Sequence, residues 1–262
     1  MIDKTFRRPI VWNSAARTDV GVIREVNEDA ILVKSEIGLW AVADGMGGHL
    51  VGDIASSKII AALGAVTPQP MLSDYVDAVE DALLDINEKM LEYAQIMFDA
   101  GTMGSTIVAL LIKERIGACL WVGDSRLYRF RNQQLVQISR DHSQLEEMLE
   151  MGLLTKEAAE NYPHKNVITR AVGVEESLYV DVTVFTTQIG DIFLLCSDGL
   201  YNSISNDEML DALALRDVEV IVTKLVNQSI ANGAPDNVSV VVVQGSAGKI
   251  NSTTNSTNEV QG

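Results

Sequence analysis

The chain has 262 residues, 47% hydrophobic and 21% charged, a balance that fits a soluble globular protein with a sizeable core. Its 36 acidic against 20 basic residues give a formal charge of −16, which repels nucleic acid and anionic lipid and argues against both as partners. No apolar stretch reaches the length of a membrane span, the start "MIDKTFRRPIVWNSAAR" has no signal-peptide pattern, and Cys119 and Cys196 sit inside apolar runs as buried thiols of a reducing compartment, so a cytoplasmic location is expected.

In chain order, the first strand-like runs are "AILVKS" and "LWAVAD", the second ending on Asp44. Residues 53–64 predict a short helix. Residues 73–98 predict a longer one, with Val76, Val79, Leu83, Ile86, Met90 and Tyr93 in one stripe and Ser73 as its N-cap. "STIVALLIK", "RIGACLWVG", "RLYRF" and "QLVQI" follow as strands, with "ERIG" and "RNQQ" as tight turns between antiparallel neighbours. Residues 143–167 are more polar and read as a helical insertion. "YVDVTVF" and "DIFLLCSD" are further strands. Ser205 and Glu208 have capping-box spacing, and Val218, Ile221, Leu225 and Val226 mark an amphipathic helix before the last strand, "NVSVVVVQ". The Ser/Thr/Asn-rich residues 246–262 read as a disordered tail. Strands and helices come in blocks and do not alternate strictly, which favours antiparallel sheets covered by helix pairs over a doubly wound parallel sheet.

Three aspartates border the longest apolar strands: Asp44 and Asp198 at strand ends, Asp236 at a strand start. If the last strand runs antiparallel to the other two, all three meet at one edge. Converging carboxylates stay ionised only with cations among them, and oxygen-only donors favour magnesium or manganese. Histidine and cysteine are too scarce for a zinc site. Gly45 and Gly199, next to Asp44 and Asp198, leave the backbone free to approach an ion or to turn sharply. "REVNEDAIL" adds Glu28 and Asp29 as acids and Arg24 as a planar fork suited to phosphate; a surface ion pair is the plainer account of that arginine. "GDSRLYR" adds Asp124, for which a hairpin turn is the plainer account.

The ordered set "RxxNED", "ADGMGGH", "GSTIVALLI", "VGDSRLYR", "RDHS", "ITRAVG", "LLCSDGL" and "DNVSVVVV" resembles the bacterial branch of the metal-dependent serine/threonine protein phosphatases, type 2C. The motifs cover roughly residues 15–244. The resemblance implies an α+β fold, a four-layer α-β-β-α sandwich of two antiparallel sheets flanked by helix pairs. It implies one phosphatase domain over 1–245, with the insertion at about 143–167 as a flap. Two manganese or magnesium ions are implied at one end of the sandwich. Asp44 would bridge them; the Gly45 carbonyl and Glu28 would serve the second ion, and Asp198 and Asp236 the first. Asp29 would act from behind these ligands. A third, weaker ion would sit near Asp124, with Asp198 shared. Arg24 would grip the substrate phosphate.

The implied activity is hydrolysis of phosphoserine and phosphothreonine in proteins by a hydroxide bridging the two ions, attacking phosphorus in line and reversing a partner kinase in bacterial signalling. A monomer is expected. Met46 stands where eukaryotic relatives carry a histidine that is a candidate general acid, and His49 is three residues further on, which leaves a metal-bound water as the proton donor. Two rivals differ in class. A phosphoprotein-binding pseudophosphatase predicts a lost metal ligand, yet Asp44, Asp198 and Asp236 are all present. A cysteine-dependent phosphatase needs five residues between Cys and Arg, whereas Cys119 and Arg126 have six. If Gly45 serves the metal turn alone, Gly45→Val lowers activity far more than it lowers the melting temperature.

Overall fold

The structure, a computed structural model, describes residues 8–47, 51–97, 103–159, 162–163 and 167–249. Its elements begin with β1 (Ile10–Asp19), β2 (Asp29–Lys34), β3 (Leu39–Met46), α1 (Gly52–Ala65) and α2 (Leu72–Met97). Next come β4 (Gly104–Ser105), β5 (Ile107–Lys113), β6 (Ile116–Val122), β7 (Arg126–Arg131), β8 (Gln134–Gln137), α3 (Gln144–Glu150) and α4 (Lys156–Ala159). The chain continues through β9 (Asp181–Thr186), β10 (Ile192–Cys196), α5 (Asp198–Ser203), α6 (Asn206–Leu213), α7 (Val218–Ala231) and β11 (Val238–Ala247).

The strands form two antiparallel sheets. One has the order β1-β11-β10-β7-β8, the other β2-β3-β5-β6-β9, with β4 paired to the end of β3. Alternation of side chains across each strand explains the long apolar runs. In β3, Leu39, Ala41 and Ala43 face the core under α1 and α2, while Trp40 and Val42 face the other sheet. In β11, Val240 and Val242 pack with Leu213, Ile221 and Leu225 of α6 and α7, while Val241 and Val243 face inward. Strands covered on both faces carry no polar alternation, and three stacked cores make the α-β-β-α sandwich expected from the sequence.

The tight turns fall where expected. Asn132 and Gln133 have φ of 51° and 60°, the left-handed pair that closes a two-residue hairpin between β7 and β8. Ser205 and Glu208 form a complete capping box on α6. The segment 143–167 carries α3 and α4, and its base is closed by a bridge between Ser143 and Ile168.

Three details differ from the sequence reading. Strand β1 is absent from it: "IVWNSAARTD" is an edge strand with Asn13, Ser14 and Arg17 along it, so no apolar run marks it. Ser73 lies inside α2, which begins at Leu72, and its hydroxyl donates to the Asp74 carboxylate, so it is not the N-cap. β11 runs to Ala247, opposite Ile10 of β1, which takes residues 246 and 247 out of the proposed tail; residues 250–262 lie outside the described residues, as does His49.

Candidate active site

The ends of β3 and β10 and the start of β11 meet at one edge of the sandwich. Asp44 is held by Thr106, whose backbone N–H donates to the Asp44 carbonyl at 2.8 Å and whose hydroxyl accepts from the Asp44 N–H at 3.3 Å. Asp29 stands directly opposite Asp44 in the β2–β3 register. Gly45 N–H donates to the Glu28 carbonyl at 3.1 Å, so the acidic loop before β2 is stitched to the end of β3. Asp198 is the first residue of α5, separated from the end of β10 by Ser197 alone.

Polar side chains lock the two sheets together behind this edge. The Ser197 hydroxyl donates to Asp29 Oδ2 at 2.7 Å and accepts from the Ser239 N–H at 3.0 Å. Asn237 is almost fully buried; its Oδ1 accepts from the Glu28 N–H at 2.8 Å, and its Nδ2 donates to the carbonyls of Val20 and Val26 at 2.9 and 3.0 Å. One amide therefore fixes the whole loop that carries Arg24 and Glu28 against the start of β11. Ser197, Asn237 and Thr106 were not singled out from the sequence; Ser197 and Asn237 lie beside the acids Asp198 and Asp236 that drew the attention, and Thr106 lies inside the quoted "GSTIVALLI" with no acid next to it.

The result is a cleft of about 320 Å³ lined by Arg24, Glu28, Asp44, Gly45, Met46, Thr106, Asp124, Ile168, Asp198 and Asp236. Every sequence-predicted site residue except Asp29 reaches it; Asp29 is buried behind it, with Oδ1 unpartnered. Arg24 Nη2 donates to Asp236 Oδ2 at 2.8 Å. Asn202 Nδ2 donates to Asp198 Oδ2 at 3.1 Å. Asp124 follows the positive-φ Gly123, and the Tyr201 hydroxyl lies 3.1 Å from both its carbonyl oxygen and its Oδ2.

The electrostatics are those of crowded acids. Burial, then the charges of Asp29 and Asp198, pushes Asp44 well above the usual carboxylate range. Burial and the charges of Asp124 and Asp236 push Asp198 up to about 7. Burial raises Asp29 to about 6 against the opposing hydrogen bond from Ser197, and burial with the Asp141 charge raises Asp124 to about 6. Mutual repulsion of this kind is relieved by cations, and the donors are all hard oxygens, so the residues present fit magnesium or manganese. Among the described residues no three His, Cys, Asp or Glu side chains are already grouped to hold one ion. Asp236, Asp198 and Asp124 each accept a hydrogen bond from a protein donor on Oδ2, from Arg24, Asn202 and Tyr201.

The glycines serve a purpose other than a free turn. A Cβ on Gly45 would collide with the Gly52 carbonyl of α1 and lie 2.7 Å from the Glu28 carbonyl; a Cβ on Gly52 would lie 2.5 Å from Glu28 Oε1. Gly45 thus admits the helix backbone to the edge of the cleft. Both cysteines are fully buried, with burial raising their thiols, and the Arg126 guanidinium is bound bidentately by Asp141; neither cysteine is placed as a nucleophile.

Comparison with known proteins gives one consistent result. The family model for protein phosphatase 2C matches residues 24–233. The serine/threonine protein phosphatase PstP of Mycobacterium tuberculosis is 34% identical over 236 residues, which is 90% of this chain and 45% of PstP; the chain spans less than half of that relative. Among solved structures, PppA, a key regulatory component of T6SS in Pseudomonas aeruginosa, superposes with a TM-score of 0.84 at 41% identity, over 91% of this chain and 100% of that one. The catalytic domain of PstP in complex with two manganese ions superposes with a TM-score of 0.79 at 32% identity, over 90% and 99% of the two chains.

Proposed function

The chain belongs to the protein phosphatase 2C family, and we propose that it hydrolyses phosphoserine and phosphothreonine in proteins with the help of two divalent cations, opposing a serine/threonine kinase in bacterial signalling. The observation that carries this is one cleft lined by Arg24, Glu28, Asp44, Asp198 and Asp236, an all-oxygen acidic floor with an arginine at its rim. The printed names of relatives, and the two manganese ions of one of them, support it.

Asp44 would lie between the two cations, the Gly45 carbonyl and Glu28 on one side, Asp198 and Asp236 on the other, and Asp124 with Asp198 at a third, weaker position. When bound, such ions neutralise the acids and the incoming phosphate and make water nucleophilic at neutral pH. The chain's own groups do the rest. Arg24 presents a planar fork to the phosphate oxygens and orients the ester for in-line attack. Asp29, fixed by Ser197, holds its negative charge behind Asp44. Thr106 and Asn237 hold Asp44 and the Arg24 loop in place. The new P–O bond comes from water, the P–O bond to the serine oxygen breaks, and that oxygen takes up a proton to leave as the alcohol. Met46 has no proton to give.

Turnover of para-nitrophenyl phosphate tests this reading. Manganese-dependent turnover abolished by chelator is expected. Chelator-insensitive turnover blocked by thiol alkylation indicates a cysteine enzyme, and phosphopeptide binding without turnover indicates a pseudophosphatase.

A further inference from the structure

A second cleft of about 340 Å³ opens beside the first and shares Met46 and Ile168 with it. Its walls are mixed: Val174, Leu178 and Tyr179 are apolar or aromatic, and Arg170, Glu175 and Ser177 are polar. Tyr179 is 71% exposed and Val174 38% exposed, so large apolar side chains face water at its mouth. Leu178 is packed partly against the core under α2.

The wall is a built feature. Asn87 of α2, itself buried, accepts from the Gly173 N–H at 2.7 Å and donates to the Glu175 carbonyl at 2.9 Å. Val172 exchanges backbone hydrogen bonds of 2.9 and 3.0 Å with Ser105, which in turn pairs with Gly45. Arg170 Nη1 is 3.2 Å from Asp181 Oδ1, an exposed ion pair that offsets the arginine's charge at the groove wall. A loop held on both sides by buried polar bonds is pre-organised, and pre-organisation is what a binding surface needs.

We infer that this groove takes a large aliphatic or aromatic side chain of the protein substrate, about two residues from the phosphorylated serine or threonine. The inference rests on the phosphatase reading of the neighbouring cleft. Met46, two residues beyond Asp44 on β3 and about 7 Å along an extended strand, lines both clefts, so the groove begins at that border and an extended substrate enters it about two residues from the phosphorylated one. The groove is continuous with the cleft through Met46 and Ile168, so a chain with its phosphate at Arg24 and Asp44 is led into it. Burial of an apolar side chain there would add affinity for the protein substrate while leaving a small aryl phosphate unaffected.

The experiment compares phosphoserine peptides carrying Leu or Ala two residues before or after the phosphoserine, with para-nitrophenyl phosphate as the control, all in manganese. Wild-type protein should favour Leu over Ala by about tenfold in kcat/KM at one of the two positions. Tyr179→Ala should erase most of that preference, Tyr179→Phe should keep it, and both should turn over para-nitrophenyl phosphate at the wild-type rate. Equal kcat/KM for Leu and Ala peptides, or a parallel fall in para-nitrophenyl phosphate turnover in Tyr179→Ala, overturns the groove. Direct binding of the labelled peptides, by fluorescence anisotropy, separates the two readings. A Leu preference in binding that Tyr179→Ala removes, without phosphate release, keeps the groove and sinks the phosphatase; turnover without any Leu preference does the reverse.

Discussion

Arg24 and Asp236 hold each other across the cleft, Nη2 to Oδ2 at 2.8 Å. The arginine proposed to grip phosphate is thus paired with a carboxylate proposed to hold a cation. The pair is about half exposed on the arginine side, so it contributes little to stability and can part when cation and phosphate arrive. Arg24→Ala is therefore expected to raise KM for a phosphopeptide by about tenfold or more, the loss of a charge-assisted bond. Manganese affinity should hold or tighten, because Asp236 is released. Calorimetric titration showing clearly weaker manganese binding would make the arginine a scaffold of the metal site.

Asp44 pays for its place in burial of its charge first and then in repulsion from Asp29, Asp198 and Asp124. Asp44→Asn removes the buried charge of Asp44 itself while its backbone bonds to Thr106 survive. Turnover should fall by at least about a hundredfold, while the metal-free melting temperature stays level or rises. A variant that melts much earlier than wild type in chelator would place Asp44 in the fold and not in the chemistry.

Gly45 touches backbone. The collision of an added Cβ with the Gly52 carbonyl means that even Gly45→Ala must displace the start of α1. Overpacking of that kind costs about 1–3 kcal/mol, or about 3–10 °C in a chain of this size, alongside loss of activity. The sequence view of a glycine serving metal alone expects activity loss with little change in melting; a thermal scan of the metal-free variant decides between them.

Much of this arrangement was legible in the sequence, and the reason is burial on both faces. Runs such as "LWAVA" in β3 and "VVVV" in β11 are unbroken because each strand lies between a helix layer and the other sheet, and the acids near their ends stand out against them. β1 was missed because one face of it meets solvent. The connections of Asn237, Ser197 and Thr106 were not legible, since they join residues such as Asn237 and Glu28 that are 209 positions apart. Asn237→Ala removes three hydrogen bonds of a buried amide at once and should destabilise the protein by about 3 kcal/mol, read by urea denaturation. An effect within 0.5 kcal/mol, about the scale of a neutral surface change, would mean that the Arg24 loop is held by other contacts.

His142 gives a pH dependence that can be separated from the acids. It is buried against Trp121, its Nδ1 accepts from the Gly123 N–H at 3.1 Å, and burial lowers its pKa despite Asp181 at 3.3 Å from Nε2. Arg170 and Asp141 complete the charged groups acting on it. The folded protein resists a proton that the unfolded chain accepts below its ordinary pKa near about 6.5, so this residue makes stability fall as pH drops through that range. Asp44 and Asp198, with raised pKa values, act in the opposite sense, since their repulsion is relieved as they take up protons. Relative to wild type, His142→Gln should therefore gain melting temperature as pH goes from about 7 to about 5. A wild-type minus variant difference that is flat with pH contradicts the neutral buried imidazole.

The central claim is tested most directly by phosphate release from a phosphoserine peptide across a manganese titration, with wild type and Asp44→Asn side by side. The account predicts release that rises with manganese to saturation in wild type, vanishes in chelator, and falls at least about a hundredfold in Asp44→Asn at every concentration. Release that persists undiminished in chelator, or that Asp44→Asn matches at saturating manganese, contradicts it.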